Sequence, residues 1–169
     1  LENTLGANAA RVVVLRSPRV LALDLDASLS PRIGELQALL PGIDVPRLLA
    51  RAPALLEIDF ASRIEPRVRQ IEAMLPAGGE GVVRTVRRMP SLLHLSDLDE
   101  RLDAIAALLP GVDMRQVVSR APSVLAYTPE ALSRKLADIA ELFDTTDALA
   151  MVKREPALLT YNVRATLAN

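Results

Sequence analysis

An arginine, one intervening residue and a proline recur five times along this chain, each time followed by a short apolar run. The copies are "RSPRVLALD" from Arg16, "RAPALLEID" from Arg51, "RMPSLLHLS" from Arg88, "RAPSVLAYT" from Arg120 and "REPALLTYN" from Arg154. Their prolines, Pro18, Pro53, Pro90, Pro122 and Pro156, are separated by 35, 37, 32 and 34 residues. Self-similarity at such a period marks a repeat protein, in which each unit buries its apolar face only by stacking on its neighbours. The 169 residues therefore read as a single array of about four full repeats with partial repeats at both ends.

Measured from the prolines, each repeat has two helix starts. Nine residues before stand Asp44, Asp113 and Asp147, with Gly81 and Ala9 at the same offset in the other copies. Six residues after stand Asp24, Asp59, Ser96, Thr128 and Asn162, all residue types that accept from the free amides of a following helix. The capping residues predict an opening helix, a second helix ending near the proline, and a short turn after it. Ala9 leaves the helix start in the first copy unspecified.

The opening helices carry apolar residues at three- and four-residue steps, as in Ile33, Leu36, Leu39 and Leu40, or Val68, Ile71, Met74 and Leu75. Leu102, Ile105, Leu108 and Leu109 continue the pattern, as do Leu132, Leu136, Ile139 and Leu142. "LLPGID" and "LLPGVD" end an opening helix with Pro and Gly and cap the next with Asp. The proline stops the second helix, and the segment after it is long enough only for one helical or 3₁₀ turn. Val124, Leu125 and Tyr127, like Leu55, Leu56 and Ile58, are expected to pack inward from that turn.

Composition supports an all-α helical-repeat solenoid. Half of the residues are hydrophobic and only 2% aromatic, so the core is built from Leu, Ala, Val and Ile, which suit helix-on-helix packing. The absence of cysteine excludes disulfides and thiolate metal sites and fits a reducing compartment. Apolar runs such as "VVVL" at Val12 to Leu15 are far shorter than the ~20 residues of a membrane span, so no membrane insertion is expected. The chain opens on Leu1 rather than methionine, the form expected of a processed or truncated product.

Catalysis finds no support. The one histidine, His94, lies in the apolar "LLHLS" with no nucleophile or carboxylate set beside it, and reads as a packed or partly exposed side chain. No metal-ligand spacing occurs, and no cofactor or small-molecule substrate is implied. "PAGGEG" at Pro76 to Gly81 lacks the lysine of a phosphate loop and reads as an elongated turn. Phe60, Phe143, Tyr127 and Tyr161 are too few, and too much drawn into the core, for a base-stacking platform.

The order helix, "LLPGVD", helix, "R-x-P-x-[LV]-L" resembles the mitochondrial transcription termination factor (mTERF) family, from about Asn8 to Asn162. That resemblance implies a curved stack of helical triplets whose groove holds double-stranded DNA or structured RNA, in a mitochondrion or chloroplast. Members act in organellar transcription, RNA maturation and ribosome assembly. A different reading makes the array a scaffold for protein subunits of an organellar assembly, which a net charge of −1 favours.

The candidate contacts with nucleic acid are basic. Arg16, Arg51, Arg88, Arg120 and Arg154 precede the prolines by two residues, and Arg47, Arg84, Arg87, Arg115 and Lys153 stand within a helical turn of them. Helices stacked ~8–10 Å apart would set the column as a ladder able to follow phosphates. The same column has a structural use, bonding the free carbonyls of a helix C-terminus or pairing with acids such as Asp24, Glu57 or Asp59. Arg47, Arg84, Arg87 and Arg115 vary between repeats and are the better ligand candidates. Arg51, Arg88, Arg120, Lys153 and Arg154 complete the candidate set. "DLDE" at Asp97 to Glu100 reads as a solvated helix start.

Overall fold

The computed structural model of the protein describes residues 2–75, 78–144 and 147–162, which form helices and turns with no strand among them. The chain divides into two compact units, Leu1–Leu95 and Ser96–Asn169. The first unit opens with α1 (Glu2–Leu5), α2 (Ala7–Arg16) and a 3₁₀ turn at Pro18–Ala22. Two full triplets follow. One is α3 (Ser30–Leu39), α4 (Val45–Arg51) and the turn Pro53–Leu56; the other is α5 (Glu65–Met74), α6 (Gly78–Arg88) and the turn Pro90–His94. The second unit repeats the plan twice, with α7 (Leu98–Leu108), α8 (Met114–Arg120) and Pro122–Ala126, then α9 (Pro129–Leu142), α10 (Ala148–Arg154) and Pro156–Thr160.

The proline corner has one conformation throughout. Ser17, Ala52, Met89, Ala121 and Glu155, the residues before the prolines, all hold φ between −139° and −132° with ψ between 56° and 86°. This is the steric consequence of a following proline ring, which pushes its neighbour out of the helical region. Each proline then begins a 3₁₀ turn, where its missing N–H costs nothing.

The expected caps are present where the side chain suits them. Asp44, Asp59, Asp113, Thr128 and Asp147 accept from main-chain N–H groups two or three residues on, at 2.8–3.3 Å, and Asp24 accepts from Ala27 at 2.7 Å. Two cap expectations fail. Gly81 is buried inside α6, because that helix begins three residues earlier at Gly78. Ser96 is displaced by Asp97 at the N-terminus of α7, and the Asp97 side chain makes no cap bond. Gly78 to Gly81 are thus helix rather than an elongated turn, while Pro76 and Ala77 lie outside the described residues. Residues 163–169, where Asn162 would cap a further helix, are also outside them.

The apolar stripes face inward. Ile33, Leu36, Leu40, Val68, Ile71, Leu75, Ile105, Leu109, Leu132 and Ile139 are all buried, with the remaining stripe positions half-buried. From the turns, Leu55, Leu56, Val124 and Leu125 are buried, each contributing about 1.5–3 kcal/mol. Ile58 and Tyr127 lie past the turn and are only half-buried.

Candidate nucleic-acid interface

The arginines before the prolines are exposed, and Arg16, Arg51 and Arg120 tie consecutive repeats together. Arg16, on the last turn of α2, donates to the carbonyls of Ala50 and Arg51 at 3.1 and 3.3 Å. Arg51 donates to the carbonyls of Arg87 and Arg88, the latter at 3.1 Å. In the second unit Arg120 donates to the carbonyl of Arg154 at 3.4 Å. The acceptors are free carbonyls at a helix C-terminus, as the sequence implied, but they belong to the next repeat's helix rather than to the arginine's own. Of the acids considered as partners, Glu57 accepts from Ser17 and Asp59 from Ser62. The two Ser62 bonds, with the Arg32 charge nearby, lower the Asp59 pKa.

A second recurring set of cations is half-buried. Arg32 donates to the carbonyl of Leu56, Arg67 to Leu95 at 2.6 Å, Arg101 to Leu125 at 3.0 Å, and Lys135 to Tyr161 at 2.9 Å. Each cation lies on its triplet's opening helix and bonds the end of that triplet's turn, closing the triplet. Arg101 also pairs with Asp97 at 2.8 Å, and the Lys135 ammonium lies 4.8 Å from the Tyr127 ring centroid. The set steps by 35, 34 and 34 residues, more evenly than the prolines do.

Counting forward from each proline hides this set in the sequence. The offsets are then 14, 14, 11 and 13, blurred by the variable segment between repeats. Counted back from the following proline they are 21, 23, 21 and 21.

The remaining candidates are on the second helices. Arg84, Arg87 and Arg88 are exposed on α6, whose other residues Val82, Val83, Thr85 and Val86 are buried. Arg47, Arg51 and Arg87 converge on one cleft of about 250 Å³, whose wall includes the turn Gly42 to Asp44. Asp44 is the acid at this cleft, and its carboxylate already accepts from the Arg47 N–H at 2.9 Å. In the second unit Arg115 and Arg154 are exposed, and Lys153 lies across Gly111. The first unit carries 12 arginines against 10 acids, and the second 8 cations against 11 acids. The first unit, which holds Arg47, Arg51, Arg84, Arg87 and Arg88, is therefore net basic.

His94 ends the turn Pro90–His94, with a buried Nδ1 that has no hydrogen-bond partner. Burial lowers its pKa, so the ring is neutral near neutral pH. Among the described residues no group of three or more His, Asp or Glu is placed to hold a metal ion, and no helix is long and apolar enough to cross a membrane.

Compared with known proteins, the chain matches the mTERF family model over residues 5–169. No curated protein matches it.

Proposed function

Because the chain belongs to the mTERF family, we propose that it binds double-helical nucleic acid, duplex DNA or structured RNA, through the exposed arginines of α4 and α6. The observation that carries this reading is the convergence of Arg47, Arg51 and Arg87 on one open cleft, with Arg84 and Arg88 exposed on the same helix as Arg87. Guanidinium groups there offer forked donors to phosphate oxygens, and an open cleft lets a backbone approach without displacing core side chains. Recognition is by phosphate neutralisation and groove shape, with sequence readout limited to the few arginines that reach base edges. Arg51 serves twice: two of its five N–H donors face carbonyls and leave others for ligand.

The second unit is net acidic, which assigns it a weaker part through Arg115, Arg120, Lys153 and Arg154. Members of this family are generally binding proteins rather than enzymes, and the site of action proposed is an organelle, mitochondrion or chloroplast. A protein-scaffold role is supported by a different surface, the exposed Leu15 and Leu21.

The test is fluorescence anisotropy of labelled random-sequence duplex DNA and of a folded RNA hairpin. Arg47→Gln/Arg87→Gln is expected to weaken binding about tenfold or more. Equal affinity for the parent chain and this variant on both probes would exclude the cleft as the binding site.

A further inference from the structure

Three sequence positions return around each of the half-buried cations Arg32, Arg67, Arg101 and Lys135. They lie four residues before the cation, three residues after it, and four residues after the proline of its triplet's turn. With Arg32 they hold Ser28, Glu35 and Glu57; with Arg101, Asp97, Ala104 and Ala126; with Lys135, Ala131, Asp138 and Thr160. Each of these triplets supplies at least one carboxylate. With Arg67 the same positions hold Arg63, Gln70 and His94. The triplet of α5 and α6 thus carries a second guanidinium and an imidazole where the others include an acid.

These residues line one pocket of about 190 Å³ between residues 62–70 and 93–95, wholly within the first unit. No Asp or Glu is among its lining residues. Arg67 is held in place by donating to the Gln70 Oε1 and to the carbonyl of Leu95, the latter at 2.6 Å. Arg63 stands four residues earlier and is exposed. His94 is half-buried. Of its two ring nitrogens Nδ1 is buried without a partner, which leaves Nε2 as the one a ligand reaches.

We propose that this pocket binds a phosphomonoester, the terminal phosphate of a small molecule or of a nucleic-acid strand end. Near neutral pH such a group carries close to two negative charges and three acceptor oxygens. The pocket offers three donor groups from two elements: Arg63, Arg67 and the Nε2–H of His94. A carboxylate brings one charge and two oxygens, and a diester phosphate within a strand brings one charge and two unesterified oxygens, so both match less well. The pocket is smaller than the ~300–1,000 Å³ that encloses a drug-sized ligand. It therefore takes the phosphate itself and leaves the rest of the molecule outside. The site is separate from the nucleic-acid reading above, since Arg47, Arg51, Arg84, Arg87 and Arg88 do not line it.

His94 is the sole histidine of the chain, so its ring NMR resonances report on the pocket directly. The full chain is titrated with methyl phosphate at about pH 8, where the ester is dianionic, and with dimethyl phosphate at the same ionic strength. The expected result is a saturable shift of the His94 signals with methyl phosphate, and binding of the diester weaker by about tenfold or more. Arg63→Gln is expected to weaken methyl phosphate binding by about tenfold or more. Arg63 is exposed, so this variant is expected to keep the fold, which circular dichroism checks. A hairpin RNA with a terminal phosphate, tested beside its hydroxyl-ended twin, separates the two sources. An Arg63-dependent gain in affinity assigns the phosphate to a strand end, and methyl phosphate binding without that gain assigns it to a small molecule. The absence of a saturable shift, an equal response to the diester, or binding unchanged by Arg63→Gln would overturn the proposal.

Discussion

Arg16 donates to the carbonyl of Arg51, 3.3 Å away, and Arg51 in turn donates to the carbonyl of Arg88 at 3.1 Å. Arg51 is therefore an acceptor through its main chain and a donor through its side chain. The helix C-terminus that the proline leaves with unsatisfied carbonyls is satisfied from the preceding repeat. The link couples sequence to stacking, because the residue two positions before the proline is also the one that reaches the next repeat.

Replacing Arg51 with Ala removes both of its carbonyl bonds, to Arg87 and Arg88. These bonds are exposed, so the expected loss is about 1 kcal/mol. Arg51→Lys recovers only part of it, since an ammonium does not span two carbonyls as a fork does. Urea unfolding of the three proteins measures the order: parent, Lys, Ala.

The half-buried cations and the exposed ones are predicted to separate by phenotype. Arg101→Met strands the carbonyl of Leu125 and takes away the 2.8 Å ion pair with Asp97, at an expected cost of about 2 kcal/mol. Arg84→Gln changes an exposed side chain and is expected to move stability by less than about 0.5 kcal/mol. Thermal melts and nucleic-acid titrations on both variants are the check. A large stability loss in Arg84→Gln would count against the division of roles.

Two glycines of the "LLPG" turns test close approach against backbone strain. Gly42 has φ +83° and open space around its missing Cβ; Gly111 has φ +74°, and a Cβ there would sit 3.1 Å from the Lys153 Nζ. Both Ala variants carry the strain of a positive φ, about 1 kcal/mol. At Gly111 the added Cβ meets only the end of the exposed Lys153 side chain, which swings aside into solvent, so the two variants are expected to lose about the same stability in urea melts.

His94 sets a pH dependence whose sign is fixed. Burial lowers its folded pKa below the ordinary 6.5, so the unfolded chain binds the proton more tightly. Stability is then full above about pH 6.5 and falls as pH drops from there toward the lowered folded value. His94→Leu removes both the titration and the unpartnered Nδ1. Its melting temperature is expected to vary less over this window than that of the parent chain.

The five prolines and the Asp and Thr caps are legible in the sequence because they act locally: a ring that cannot donate, and a short side chain that bonds an amide two or three residues on. Gly81 and Ser96 break the pattern because helix starts do not keep a fixed distance from the proline. Around Pro90 the helix begins at Gly78, and α7 begins with Asp97 at its N-terminus. Arg32, Arg67, Arg101 and Lys135 stay hidden for a different reason. Their partners are main-chain carbonyls 24 to 28 residues away, which leave no mark in residue identity at the acceptor. Exposure of Leu21 is equally invisible, since a leucine at that position is the repeat's ordinary residue and only packing distinguishes a covered copy from an open one.

Phosphate binding by the α6 arginines is tested most directly by the salt dependence of binding to labelled duplex DNA and structured RNA, for the full chain and for Arg84→Gln/Arg87→Gln. Affinity is expected to fall linearly on logarithmic axes as salt rises. The double variant is expected to reduce the slope by about two, one for each phosphate that is no longer neutralised. No binding at low salt, or a slope that the double variant leaves unchanged, would contradict phosphate recognition by these arginines.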